Sequence, residues 1–228
     1  MVVQVEMVLY LCPGSFSTAG DFPGSSRSLR SPPNEDTINL KAFAGNKLNN
    51  LSGDIVLNLT RFANNSMARL QKLKVVSRSL TNSSFCYNTL ESLTELVLEV
   101  YNTSDFNNNI LTGLTNLTLF NSRLMRSPIT TFSNNSMPSL QILKAQNCSL
   151  DNLTEILSYP LLKQADLSYN SFESATNLNH SSLNNLLLGN GKLRGKFSGN
   201  NLTELLYLSL GSNIYLQGFE GNRLPKLK

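Results

Sequence analysis

Apolar residues recur along the chain in the frame L-x-x-L-x-L, which is found seven times, with Val or Ala in place of one leucine in the copies that begin at Leu70, Leu140 and Leu162. The frames begin at Leu70, Leu93, Leu114, Leu140, Leu162, Leu183 and Leu205, so successive starts are 23, 21, 26, 22, 21 and 22 residues apart. A unit of this size cannot bury its apolar edge alone and becomes stable only by stacking on neighbouring copies. The pattern therefore predicts one repeat solenoid that presents an extended surface.

Alternation within each frame predicts a short β-strand. Successive side chains of a strand point to opposite faces, so the second and third apolar residues of each frame should face the core. These pairs are Leu73 and Val75, Leu96 and Leu98, Leu117 and Leu119, Leu143 and Ala145, Ala165 and Leu167, Leu186 and Leu188, and Leu208 and Leu210. We expect the strands to form one parallel sheet, with the return path of each unit on the convex side.

The repeat does not extend to the beginning of the chain. Residues 1–36 are rich in Ser, Gly and Pro and offer little apolar surface, so they are predicted to form a largely flexible segment. Residues 37–228 are predicted to form the repeat domain of about eight units, of which the first, from Ile38, is degenerate and the last is truncated. The segment LSGDIVLNLTRF, residues 51–62, is assigned to the convex side.

A polar position follows each frame, three residues after its last apolar residue. The chain turns there with buried backbone N–H and C=O groups, and Asn satisfies them well because it offers two donors and an acceptor. This column reads Asn46, Arg78, Tyr101, Ser122, Cys148, Asn170, Gly191 and Asn213. Arg78 and Tyr101 do not suit a buried turn, so the predicted structural ladder consists of Asn46, Cys148, Asn170 and Asn213. Cys148 is interpreted as a structural residue rather than a reactive thiol.

The outward positions of the strands form the candidate binding surface on the concave face. Aromatic side chains offer a large contact area at a small entropic cost, which makes Phe120 and Tyr169 candidate anchors. Lys144 and Asp166 fall on adjacent strands and can pair with each other or with a ligand. The predicted ligand-binding residues are Lys74, Glu99, Phe120, Lys144, Gln146, Asp166 and Tyr169. An equally simple interpretation is that these residues are only the solvated face of a sheet.

From Ile38 onwards the repeats resemble those of leucine-rich repeat proteins. Fragments of the L-x-G-x-I-P extension typical of plant receptor-like proteins and receptor kinases occur at Leu51–Ile55, Leu193–Phe197 and Leu216–Phe219, and the N-C-S-L at Asn147–Leu150 is similar to those ectodomains. The resemblance implies an α/β-type repeat solenoid. In that fold a right-handed superhelix carries a parallel sheet on its concave face and loops with short 3-10 or helical turns on its convex face. It also implies receptor-like recognition of a protein or peptide, with no cofactor.

Catalytic and metal-binding motifs are not evident in the sequence. His180 is the only histidine, and the three cysteines, Cys12, Cys86 and Cys148, lack metal-ligand spacing, so neither an enzyme nor a metal site is predicted. The net charge of +4 is diffuse, which argues against a nucleic-acid partner. No apolar run reaches the length of about 18 residues that suggests a membrane span.

Eleven Asn-x-Ser/Thr sequons are candidate glycosylation sites if the chain is secreted. Nine are expected on convex or lateral turns: Asn50, Asn58, Asn64, Asn82, Asn102, Asn134, Asn152, Asn179 and Asn201. Asn116 and Asn147 are expected on the concave face, where a glycan would mask the candidate binding residues.

Three hypotheses remain open at this point. The protein is an extracellular or cell-surface recognition module, a cytoplasmic leucine-rich repeat scaffold, or a truncated receptor-derived product without independent function. The sequence stops at LPKLK, Leu224–Lys228, which begins another frame. An uncapped solenoid end exposes apolar side chains and strand edges, so self-association or a co-receptor contact at that end is expected.

Overall fold

The computed structural model describes residues 37–39, 43–45, 47, 53–58, 62–77, 85–100, 106–121 and 132–228. The predicted flexible segment, residues 1–36, lies outside these described residues. In chain order the elements are β1 (Thr37–Asn39), β2 (Phe43–Ala44), β3 (Gly53–Asn58), β4 (Phe62–Ala63), β5 (Leu70–Ser77), β6 (Phe85–Cys86), β7 (Glu95–Val100), β8 (Phe106–Asn107), β9 (Asn116–Asn121), β10 (Ile142–Gln146), α1 (Leu153–Ile156), β11 (Gln164–Asp166), β12 (Ala175–Thr176), β13 (Asn179–His180), β14 (Asn185–Leu187), β15 (Arg194–Ser198), β16 (Asn201–Leu202), β17 (Tyr207–Ser209) and β18 (Tyr215–Glu220).

The main sheet has nine parallel strands in the order β1-β3-β5-β7-β9-β10-β11-β14-β17. Residues of the same frame position lie opposite one another, for example Leu73, Leu96 and Leu117. The inward pairs from Leu73 to Leu188 are buried, while Leu208 and Leu210 near the last strand are partly buried. The prediction of a repeat solenoid built on parallel strands is therefore confirmed.

The pairing corrects the sequence assignment in the N-terminal units. Residues 51–62 were expected on the convex side, but Gly53–Asn58 is strand β3 of the main sheet, between β1 and β5. Ile55 and Leu57 lie opposite Leu73 and Val75, so they supply the two alternating apolar positions that a strand needs without the leading leucine of the frame. Ile38 lies opposite Leu57 and so occupies the last position of its frame rather than the first.

The return side of the solenoid contains strands as well as turns. Its short parallel sheets are β2-β4-β6-β8, β12-β15-β18 and β13-β16. Within the described part of the chain, helix is confined to the single turn α1, where Asn152 Oδ1 accepts from Glu155 N at 3.1 Å and caps the helix. The expectation of loops and helical turns on this side thus holds for one unit, and paired strands replace them in most of the others.

Stacked phenylalanines occupy the core under the return strands. Phe62, Phe85, Phe106 and Phe132 form a continuous stack with ring centroids 5.1, 5.3 and 5.2 Å apart. Phe197 and Phe219 stack in the same way at 5.3 Å near the other end, where Phe197 is buried and Phe219 is 52% exposed. Because parallel strands place equivalent residues one strand spacing apart, one phenylalanine per unit is enough to build such a stack. Leucines from the main sheet and phenylalanines from the return side together fill the core.

Candidate recognition surface

The N-terminal half of the outward face is neutralised by its own ion pairs. Lys74 Nζ lies 2.7 Å from Glu99 Oε1, and Lys72 Nζ lies 3.5 Å from Glu95 Oε2. Lys74 and Glu99 were each predicted as ligand contacts, yet they contact each other. Phe120 follows on β9, opposite Glu99 of β7 and Gln146 of β10.

The C-terminal half is arranged differently. Lys144 and Asp166 lie directly opposite each other on β10 and β11. The carboxylate of Asp166 nevertheless accepts from Gln146 Nε2 and from the backbone N–H of Ser168. Lys144 is exposed, and within the described ranges its ammonium group makes no hydrogen bond or ion pair.

Two exposed tyrosines flank this region. Tyr169 follows β11, has a positive φ of 62° and is 40% exposed. Tyr207 begins β17 at an outward position opposite Asn185 and is 54% exposed. Tyr207 was missed from the sequence, although its place one residue before the second leucine of the last frame put it on the outward face. Lys144, Asp166, Tyr169 and Tyr207 are called the C-terminal patch below.

Asparagines and one cysteine satisfy the backbone where the main strands end. Asn170 Oδ1 accepts from the N–H groups of Cys148 and Leu150 at 3.0 Å, and its Nδ2 donates to Ala145 O at 2.7 Å. Asn213 makes the equivalent contacts with Leu193 N and Leu188 O. Cys148 is buried with Sγ 3.3 Å from Gln146 O, and burial raises the pKa of its thiol to about 12. Asn46, Arg78, Tyr101 and Ser122 lie outside the described residues.

A second asparagine ladder, which was not predicted, runs along the turns that follow the return strands. Asn88 Oδ1 accepts from both the backbone and the side chain of Asn65, while Asn88 Nδ2 donates to Phe62 O and Asn109 Oδ1. Asn109 and Asn135 continue the ladder, and Asn200 with Asn222 repeats it near the C-terminal end. Most of these asparagines are buried, so the ladder supplies partners for backbone groups that water cannot reach.

The residue just before each ladder position in the chain has a left-handed backbone conformation. Asn147, Tyr169, Asn190 and Ser212 have positive φ in the turns after the main strands. In the turns after the return strands the positions are Gly45, Asn64, Tyr87, Asn108, Asn134, Asn177, Gly199 and Gly221. Gly and Asn tolerate this conformation best, which explains much of the asparagine content.

Among the sequons that the structure describes, some asparagines are exposed at turns and others make hydrogen bonds that the fold uses. Asn64 and Asn134 are exposed at left-handed turn positions, and Asn147 holds such a position with partial exposure. Asn152 caps α1, and Asn201 Nδ2 donates to Asn179 Oδ1. Asn116 starts β9 on the outward face. Asn58 falls within β3, and Asn50, Asn82 and Asn102 lie outside the described residues. The fold itself therefore accounts for several of these asparagines.

His180 is a buried structural residue in this fold. Its Nδ1 accepts from the N–H groups of Ser182 and Leu183 at 3.1 Å, and its Nε2 lies 3.0 Å from Tyr159 O. Because Nδ1 accepts two hydrogen bonds, the proton of the neutral ring resides on Nε2 and is donated to Tyr159 O. Burial, and then the charge of Glu155, raises the pKa of the Tyr159 phenol, so this phenol stays protonated at neutral pH.

Comparison of the chain with protein-family models, curated proteins and solved structures gives no match. Across the part of the chain that the structure describes, three or more His, Cys, Asp or Glu residues nowhere come together as metal ligands would. No helix among those residues is long and apolar enough to cross a membrane.

Proposed function

We propose that the protein is a non-catalytic recognition module that binds a protein or peptide on the outward face of its main sheet, at the C-terminal patch. The observation that carries this proposal is the contrast between the two halves of that face. In the N-terminal half the lysines are satisfied by Glu95 and Glu99. In the C-terminal half Lys144 is exposed without such a partner in the described residues.

The chemistry of the patch suits a peptide with an acidic and an apolar group. Lys144 offers a cation whose nearest in-register carboxylate, Asp166, is already engaged by Gln146 and Ser168 N. Tyr169, in the turn after β11, and Tyr207, at the start of β17, are exposed, and aromatic side chains dominate the affinity of many interfaces. A ligand across β10 to β17 would contact an ammonium group and two rings.

The leucine frames and the receptor-like fragments support a more specific version of the same proposal. In that version the solenoid is a right-handed leucine-rich repeat superhelix, its main sheet is concave, and the module belongs to a receptor-like protein at the cell surface. A cytoplasmic leucine-rich repeat scaffold would use the same patch. Glycan occupancy of the endogenous protein, read by mass spectrometry, separates the two.

Peptide selection tests the proposed function directly. A displayed random-peptide library is selected on the immobilised full chain, and enriched peptides are titrated by fluorescence anisotropy. Lys144→Glu and Tyr169→Asn should each weaken binding by about tenfold or more, since a lost interface anchor commonly costs more than about 1 kcal/mol. Asn is chosen for position 169 because it tolerates the left-handed backbone.

Lys74→Gln is the matched control, because it removes a lysine from the self-paired half of the same face. It should leave peptide affinity unchanged within about twofold, which is less than about 0.5 kcal/mol. Equal affinity of all variants, or an equal loss in Lys74→Gln, would refute the assignment of the site to the C-terminal patch.

A further inference from the structure

A second row of turn residues follows the return strands in the N-terminal half. It consists of Asn64, Tyr87, Asn108 and Asn134, one residue from each successive unit, all with φ between 54° and 58°. Asn64, Tyr87 and Asn134 are exposed, whereas Asn108 is half-buried and its Nδ2 donates to Asn107 Oδ1. Backbone bonds tie these units together: Asn64 N donates to Cys86 O, Tyr87 N to Asn107 O, and Asn108 N to Ser133 O. This set is called the turn row below.

Tyr87 is the unusual member of the turn row. The other described residues at this turn position are Asn or Gly, which the left-handed conformation favours. A tyrosine is disfavoured there, and Tyr87 is 59% exposed, so burial offsets only part of the cost of this backbone conformation. The fold thus keeps an aromatic ring in solvent at a position where a smaller residue would be more stable.

A continuous ladder of hydrogen bonds lies under the turn row. Each member of the turn row is followed directly by a ladder residue, Asn65, Asn88, Asn109 or Asn135, and side-chain hydrogen bonds of 2.9 to 3.1 Å join these four. A ligand at the turn row would therefore meet preorganised groups, which lowers the entropic cost of binding.

The chemistry of the turn row is neutral and rich in groups that both donate and accept hydrogen bonds. Its members are three amides and one phenol, and the adjoining bridge residues Ser66, Thr89, Ile110 and Ser136 are also uncharged. The exposed Lys47, opposite Ser66, borders the row at its N-terminal end. Asn64 and Asn134 are exposed, and their side-chain amides bond to no other described residue. Such a surface complements a ligand with many hydroxyl groups and flat C–H faces.

We propose that the turn row is a binding site for a neutral linear glycan. One sugar ring would stack on Tyr87, the Asn64 amide would bond to a hydroxyl group of the adjoining sugar on one side, and the Asn134 amide would bond to the second sugar on the other side. Successive units are about 4.8 Å apart, which is close to the length of one pyranose residue in an extended chain. This site is distinct from the C-terminal patch and does not depend on the proposed peptide ligand.

The test uses the full chain produced in a bacterial host, where its own sequons stay unmodified. Cellohexaose, chitohexaose, mannohexaose and xylohexaose are each titrated by calorimetry and by saturation-transfer NMR. At least one should bind, and Tyr87→Asn should weaken that binding by about tenfold or more because the stacking ring is lost. The same variant should unfold at an equal or higher temperature, because Asn relieves the left-handed strain.

Tyr169→Asn is the matched control, since it replaces a tyrosine with Asn at a left-handed position of the other surface. It should bind the glycan as the unmodified chain does, even where it loses the selected peptide. The proposal is overturned if none of the four hexasaccharides binds, if Tyr87→Asn binds equally well, or if that variant unfolds at a lower temperature. Loss of the selected peptide in Tyr87→Asn, without glycan binding, would instead assign the turn row to a protein partner.

Discussion

Lys74 Nζ lies 2.7 Å from Glu99 Oε1, diagonally across strands β5 and β7. The side chain of Lys74 is 40% exposed and that of Glu99 is 41% exposed. An exposed pair of this kind stabilises a protein by about 0–1 kcal/mol. Its main consequence is that neither charge is free to recruit a ligand. The N-terminal half of the outward face, where the lysines pair with glutamates, therefore differs from the C-terminal patch, where Lys144 has no such partner among the described residues.

Charge reversal tests this relationship. Lys74→Glu alone should lower the free energy of unfolding by about 0.5–1 kcal/mol, because two carboxylates then face each other across neighbouring strands. Lys74→Glu with Glu99→Lys should recover most of the loss and leave peptide binding at the C-terminal patch unchanged. Urea titrations of the three proteins measure both effects. Failure of the double variant to recover would mean that the pair does not form in solution.

The buried ladder predicts a larger effect at Asn88. Alanine there removes the acceptor for two groups of Asn65 and the donors to Phe62 O and Asn109 Oδ1. Each buried polar group left unsatisfied costs about 1–3 kcal/mol, so Asn88→Ala should destabilise the protein by about 3 kcal/mol or more. Chemical denaturation followed by circular dichroism gives this value.

Asn134→Gly is the control for Asn88→Ala. It also removes an asparagine side chain, but Asn134 is exposed and glycine accepts its positive φ of 58°. The change should stay within about 0.5 kcal/mol. If Asn88→Ala proved as mild as Asn134→Gly, the ladder would contribute little to stability.

The leucine columns were predictable because strand alternation alone decides which residues face the core. Leu96 and Leu98 are buried for that reason, and Ile55 and Leu57 pair in the sheet even without the leading leucine. The error at Ile38 arose because the frame was aligned on its first leucine, whereas the pairing follows the two alternating residues.

The sequence also contains a repeated motif for the return side, which the sequence prediction did not include. The motif F-x-x-N recurs in FANNSM, FCYNTL, FNNNIL, FSNNSM, FSGNNL and FEGNRL, and it marks the phenylalanine stack and the second ladder together. The sequence prediction placed a polar ladder at only one of the two turns of each unit. The ion pair of Lys74 and Glu99 was not predictable in the same way, because strand alternation assigns a face but not a rotamer.

His180 replaces a backbone hydrogen bond that the neighbouring units make. Leu162 N donates to Tyr159 O and Leu205 N to Leu202 O, whereas Leu183 N donates to His180 Nδ1. His180→Leu can restore the backbone bond and fill the apolar position, as Leu202 does opposite it, so its cost should be below about 1 kcal/mol. His180→Ala should cost about 2 kcal/mol or more because it leaves a cavity. Thermal unfolding compares the two, and equal losses would show that the imidazole hydrogen bonds are essential.

Cys148 predicts how stability changes at alkaline pH. Its thiol has an ordinary pKa of 9.0, and burial raises that pKa to about 12 in the folded protein. Between these values the unfolded chain has lost the proton and the folded chain keeps it, so the free energy of unfolding falls as the pH rises. One pKa unit corresponds to about 1.4 kcal/mol, which gives a loss of about 2 kcal/mol from this thiol by about pH 10.5.

The experiment compares two proteins that both carry Tyr159→Phe, one with Cys148 and one with Cys148→Ala. The phenol of Tyr159 is removed from both because burial raises its pKa too, so it would also lower the free energy of unfolding at high pH. Urea titrations under reducing conditions at pH 8, 9 and 10 should show a steeper decline when Cys148 is present, since the thiol alone distinguishes the two proteins. Parallel declines would mean that the thiol at position 148 is accessible enough to ionise in the folded state.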